Sequence, residues 1–290
     1  MRAALFALLG VTAAVFTASW MMRMRRDRSM RRPTPLETAV GFVTNFFDTL
    51  GIGSFAPTTS AYRLRRLVDD EMIPGTLNVG HSPPVVLQAF IFVSLVTVAP
   101  VTLLTLIAAA VLGSWLGAGL VTHWPRAAIQ RGMGLGLLVA AALMLLKNID
   151  ELRGTPLVPG GTALELPVPL LLPAAAAMFV MGALVTLGIG LYAPCFVMVS
   201  LLGMDPRAAF PIMMGSCAFV MPMASLRFIR AGRFDAGAAL GLSLGGLPAV
   251  LVAAFIVKSL PLVAIRWLVL AVVLYTAWVM LQSERRERLT

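Results

Sequence analysis

The sequence predicts an all-α polytopic membrane protein made of two homologous units behind one extra N-terminal helix. Three observations predict it. Of 290 residues, 59% are hydrophobic and 12% are charged, and several runs reach the ~20 apolar residues that a spanning helix needs. One phrase occurs twice, FVTNFFDTLGIGSFAP at 42–57 and FVMGALVTLGIGLYAP at 179–194, with nine of sixteen residues identical at an offset of 137. In each copy glycines and a proline interrupt an apolar run, as in repeated membrane folds with broken helices. The same offset pairs Pro74 with Pro211, and a one-residue gap then pairs Pro125, Ala128 and Ile129 with Pro261, Ala264 and Ile265.

The first apolar run, 3–22, is preceded by Arg2 alone and followed by Arg23, Arg25, Arg26, Arg28, Arg31 and Arg32. That asymmetry predicts a retained helix with its C-terminal end in the cytoplasm, not a cleaved signal peptide. Residues 1–35 are therefore an N-terminal transmembrane helix with a basic cytoplasmic loop. The first repeat unit, 36–147, holds a phrase-bearing segment at 36–62 and spans at 76–98, 101–121 and 127–146. Residues 148–168 are rich in Pro and Gly and form an external linker. The second unit, 169–282, holds a phrase-bearing segment at 169–202 and spans at 208–228, 236–257 and 262–281, and 283–290 is a charged cytoplasmic tail.

The charges choose how the two phrases sit. If both phrase-bearing segments cross straight through, 14 of the 23 Lys and Arg fall inside. If each is a re-entrant hairpin, 17 fall inside, including Arg63, Arg65 and Arg66 with the basic loop and Arg227, Arg230 and Arg233. The hairpin arrangement obeys the positive-inside tendency better and makes the units inverted repeats with broken or re-entrant helices. The TLGIG motif supplies the turn, because glycine reaches backbone conformations other residues resist, and Pro57 and Pro194 suit a helix start. The net charge of +10 thus serves topology and contacts with anionic lipid, and nucleic acid is not an expected partner. Cys195 and Cys217 lie inside apolar runs and imply neither a disulfide framework nor a metal site.

Backbone broken at membrane depth is costly unless its freed N–H and C=O groups line a cavity. The candidate substrate-binding residues therefore cluster at the breaks. Gly51, Gly53, Gly188 and Gly190 would let a substrate approach bare amides, and half-helix N-termini favour an anion. Thr49 and Thr186 sit at matching positions, whereas Asn45 and Asp48 are matched by Gly182 and Val185, so the site is lopsided. Asp48 is a carboxylate deep in an apolar run; with Asn45 it is the candidate for coupling to a proton or sodium. The next helix of each unit opens with Thr76 and Asn78, or with Ser216, uncharged donors able to hold anion oxygens. His81 and His123 are isolated in sequence and are assigned to loops or helix ends.

With the duplicated TLGIG…AP phrase and LLGMDPRAAFPIMMGS at 201–216, the chain resembles the sulfite exporter TauE/SafE family over about 36–281. The resemblance implies a permease of small anions such as sulfite or organosulfonates. Ser54-Phe55 and Leu191-Tyr192 depart from it where many members continue with glycine, as does Asp69-Asp70-Glu71 in the first unit. The expectation is a secondary transporter of the inner membrane, working by alternating access around a midplane site without cofactor or metal, and not an enzyme. The alternative is a non-transporting or enzymatic membrane subunit of a larger complex; an enzyme needs a cluster of reactive side chains at one depth, where only Asp48 qualifies.

Overall fold

The computed structural model describes residues 2–26, 31–116, 126–152, 161–185 and 190–287. Their regular elements are helices: α1 Arg2–Arg26, α2 Pro35–Thr49, α3 Phe55–Arg65, α4 Ile73–Leu95, α5 Pro100–Leu116, α6 Arg126–Leu152, α7 Val168–Val185, α8 Tyr192–Leu201, a 3-10 turn Pro206–Ala208, α9 Ala209–Ala231, α10 Ala236–Ser259 and α11 Leu262–Glu287. Six are long and apolar enough to cross a membrane, and Pro100–Leu116 and Tyr192–Leu201 are shorter apolar helices. The protein is therefore an all-α, multi-pass membrane protein. Five of the seven expected spans coincide with helices of that kind; 76–98 holds α4, which is not among the six, 101–121 holds the shorter α5, and the remaining long apolar helix is α7, in the second phrase-bearing segment. Two compact units form, Met1–Leu95 with Met214–Lys258, and Val96–Met213 with Ser259–Thr290. Each draws helices from both halves of the chain.

In the first unit, the local sequence starts and stops α2. Thr34, Pro35 and Glu37 make a capping box with proline in the first turn, which satisfies orphan amides at the helix start. The helix ends in a Schellman turn: Ile52 N–H donates to the Phe47 carbonyl (3.1 Å) and Gly51 N–H to the Asp48 carbonyl (2.8 Å). Gly51 takes φ +97° there, the left-handed region open to glycine. The chain then turns back. Tyr62, near the end of α3, packs in one cluster with Leu77, Ala238 and Leu242, with Val40 against it. Its hydroxyl faces the Ala238 carbonyl at 3.5 Å. The first phrase is thus a helical hairpin whose second half-helix returns to the end where the first began.

The other helices of this unit pack on α2 and α4. Gly246 of α10 packs against Asn45 and Pro84, while Gly41 of α2 and Gly80 of α4 both meet Leu242. α9 runs against α4, with Ser82 and Ser225 hydroxyls 3.2 Å apart and Gly75 against Phe228 and Arg233. α1 stacks Phe6 on Phe90 and packs Phe16 and Trp20 with Val79 and Ile229. Consequently Arg23, Arg31, Asp69, Gly232 and Asp235 line one cleft of about 300 Å³. The arginines after α1, after α3 and at the end of α9 share this end of the unit, as the hairpin reading of the charges requires. Arg31 pairs with Glu37 and Asp235 across it, and its hydrogen bond to Glu37 raises the Arg31 pKa above its usual value.

In the second unit, α5 and α7 approach closely because a Cβ at Gly113 would strike the Phe179 carbonyl, and one at Gly182 the Ala110 carbonyl. Small residues at such crossings allow backbone contact in lipid. The end of α8 also comes back to the start of α7. After α8, Met204 pairs with Ala163 in a β-bridge and Asp205 N–H donates to the Ala163 carbonyl at 2.9 Å, beside the start of α7. The latter part of the expected linker is therefore packed: Leu166 N–H donates to Thr102 Oγ1 at 3.1 Å. The two returning half-helices match at the same offset of 137. α3 begins at Phe55 and α8 at Tyr192. Leu67 N–H donates to the Tyr62 carbonyl as Met204 N–H does to that of Val199, so Arg66 and Gly203 fill the same left-handed turn position.

Candidate functional site

The candidate site is a buried polar network around the break between α2 and α3. α2 contributes Asn45, Asp48 and Thr49, α3 contributes Thr58, and α4 contributes His81 and Gln88; all six are buried. His81 and Gln88 are seven residues apart, so α4 carries both on one face.

Two groups of bonds meet there. Gln88 Nε2 donates to Asp48 Oδ2 and to Thr49 Oγ1, each at 2.9 Å, while the Thr49 hydroxyl donates to the Asn45 carbonyl at 2.8 Å. Asn45 Nδ2 donates to the Gly41 carbonyl at 2.7 Å, and its Oδ1 faces His81 Nδ1 at 3.0 Å. The other ring nitrogen of His81, Nε2, lies 3.1 Å from Thr58 Oγ1. The Thr58 hydroxyl also reaches the Ser54 carbonyl at 2.7 Å. Side chains from three elements are thus held in register around one backbone break, as a buried polar group in an apolar bundle requires.

Helix α4 could not carry this face without help from α10. Pro83 and Pro84 interrupt it, and a proline leaves the carbonyl four residues earlier without its helical donor. For Pro84 that carbonyl belongs to Gly80, and the Ser243 hydroxyl donates to it at 2.8 Å. A tertiary hydrogen bond thereby repairs the helix one residue before His81.

The sequence-derived candidates divide accordingly. Asn45, Asp48 and Thr49 belong to the network. Gly51 is the cap of α2. Gly53 has φ +88°, and a Cβ there would meet nothing within 4 Å, so the break borders open space; Gly190, in the other unit, borders open space as well. Thr76 lies elsewhere, at the arginine-rich end, where its Oγ1 accepts from Asp235 N–H at 2.9 Å and donates to the Met72 carbonyl at 2.8 Å. Asn78 donates to the Pro74 carbonyl of its own helix at 2.8 Å. Ser216 is buried in α9. Thr186, Gly188 and His123 lie outside the described residues.

His81 corrects the assignment to a loop or helix end: it sits fully buried within α4, because the polar Gly80-His81-Ser82 step continues the helix into Pro83-Pro84 instead of ending it. Thr58 and Gln88 join the network although they are not among the sequence-derived candidates. A polar pair spaced i, i+7 inside an otherwise apolar run was the available signal for His81 and Gln88; Thr58 gave none.

The N-termini of the returning half-helices are the other chemical feature. Ser54 and Leu191 precede α3 and α8 in αR conformation, and neither side chain caps its helix. Such ends present backbone donors and a positive partial charge, both suited to an anion. Among the described residues, no three His, Cys, Asp or Glu side chains converge on a point that could hold a metal. No protein family, curated protein or solved structure matches the chain.

Proposed function

We propose that the protein is a secondary transporter of small anions, with sulfite and organosulfonates as the leading substrates, moving them by alternating access around a midplane site. The observation that carries this reading is the broken hairpin of α2 and α3, whose uncapped second half-helix begins beside open space at Gly53 and beside the polar network. A re-entrant break is tolerated at membrane depth where it lines a cavity, and neutral donors bind an anion without trapping it. The backbone amides that open α3, uncapped by any side chain, supply such donors at the break. The resemblance to the TauE/SafE family supports the substrate class. Asp48 and Asn45 are the candidates for coupling to a proton or sodium, and the inner membrane is the expected location.

Reconstitution tests the reading. The purified protein in proteoliposomes is expected to carry at least one anion among sulfite, sulfate, sulfoacetate and simple carboxylates above the rate of empty vesicles. Equal flux in loaded and empty vesicles for all of them would overturn it.

A further inference from the structure

We infer that His81 is a proton-binding residue, and that Asn45 and Thr58 position its ring for that role; its use in coupling rests on the transport reading above. The argument is one of donors and acceptors. The Gly41 carbonyl can only accept, so the Asn45 atom facing it is the amide nitrogen. The atom facing His81 is then Oδ1, which also only accepts. His81 Nδ1 must therefore carry a hydrogen and donate to Asn45. One tautomer is fixed.

Nε2 is left free to exist with or without a hydrogen, because Thr58 suits both states. When Nε2 is bare, the Thr58 hydroxyl donates to it across 3.1 Å. When a proton from water at the break binds the Nε2 lone pair, the new N–H donates to Thr58 Oγ1, and the hydroxyl hydrogen turns to the Ser54 carbonyl at 2.7 Å. No heavy atom moves and no polar atom loses its partner. A buried histidine held by a fixed acceptor on both sides would lack this freedom. The Phe55 ring lies beside the imidazole, with centroids 6.0 Å apart, a distance at which an aromatic face favours a cation. Thr58 stands five residues beyond Gly53, where a Cβ would meet nothing within 4 Å.

Other charged groups on the neighbouring elements are engaged away from the ring. On α2, Asp48 is bonded to Gln88 and Glu37 to Arg31. On α3, Tyr62 faces the Ala238 carbonyl, and Arg63 and Arg65 are exposed near its end. On α10, Asp235 pairs with Arg31 and Lys258 is exposed at the far end.

The test reads the ring directly. With His123→Gln leaving one histidine, ¹⁵N NMR of the full chain in nanodiscs is expected to show a protonated Nδ1 at every pH and an Nε2 that gains its hydrogen as the pH is lowered. An Nε2–H tautomer at high pH, or a ring that stays neutral throughout, would overturn the inference. In proteoliposomes, His81→Gln is expected to flatten the pH dependence of flux, and an unchanged profile would remove His81 from coupling. If the intact protein moves no anion while the ring titrates as expected, the proton site stands and the transport reading falls.

Discussion

At the residue scale, the site depends on pairs of roles held by single side chains. Asp48 is buried and accepts from Gln88, so Asp48→Asn keeps its size and removes its capacity to release a proton. If Asp48 carries the coupling proton, this variant still binds substrate but loses the pH dependence of net flux; a wild-type pH profile makes Asp48 structural. Gly51 is a different case. With φ +97°, any L-residue there pays roughly 1–2 kcal/mol of backbone strain, and the Schellman cap that ends α2 is the feature placed at risk. Gly51→Leu is expected to reach the membrane yet lose transport, with a lowered melting temperature in detergent. Full flux from this variant would mean the hairpin break need not hold its shape.

At the element scale, the stability of each helix rests on how its ends and interruptions are satisfied. α3 closes with Arg66 in the left-handed region at φ 49°, where α8 closes with Gly203. Arg66→Gly is therefore expected to stabilise the protein by about 1 kcal/mol, the strain of a side chain in that conformation, read as a higher melting temperature; a fall would show that the Arg66 side chain holds the turn by other contacts. α4 owes its continuity past Pro84 to Ser243. Ser243→Ala leaves the Gly80 carbonyl unpaired in an apolar bundle and is expected to cost about 1–3 kcal/mol. An unchanged melting temperature would show that the kinked helix satisfies that carbonyl by itself.

At the scale of the whole molecule, the arginines report topology. Those after α1, after α3 and at the end of α9 gather at one end of their unit, and the cleft lined by Arg23, Arg31 and Asp235 lies among them. Single cysteines placed at Arg26, Arg65 and Arg230 are expected to react together, all protected from an impermeant reagent added to intact cells. Labelling of the Arg65 position alone would mean that α2 and α3 cross the membrane instead of returning. The native Cys195 and Cys217 are buried and interfere little with the readout.

The membrane class, five of the expected spans and the break of the first phrase are legible in the sequence, because run length and the glycines of TLGIG act locally. The charge rule favours the hairpin over the straight crossing, since paired loops must satisfy it together. Which side chains meet at the break follows from the packing of the helices. Asn45 joins His81 across 36 residues, and Asp48 joins Gln88 across 40, separations at which no periodicity links one residue to another. Thr76 shows the converse: its place after a proline suggested a substrate contact, and packing gave it to Asp235 at the arginine-rich end. A hydroxyl or imidazole in an apolar run announces that it needs a partner, and the crossing of the helices decides which partner it finds.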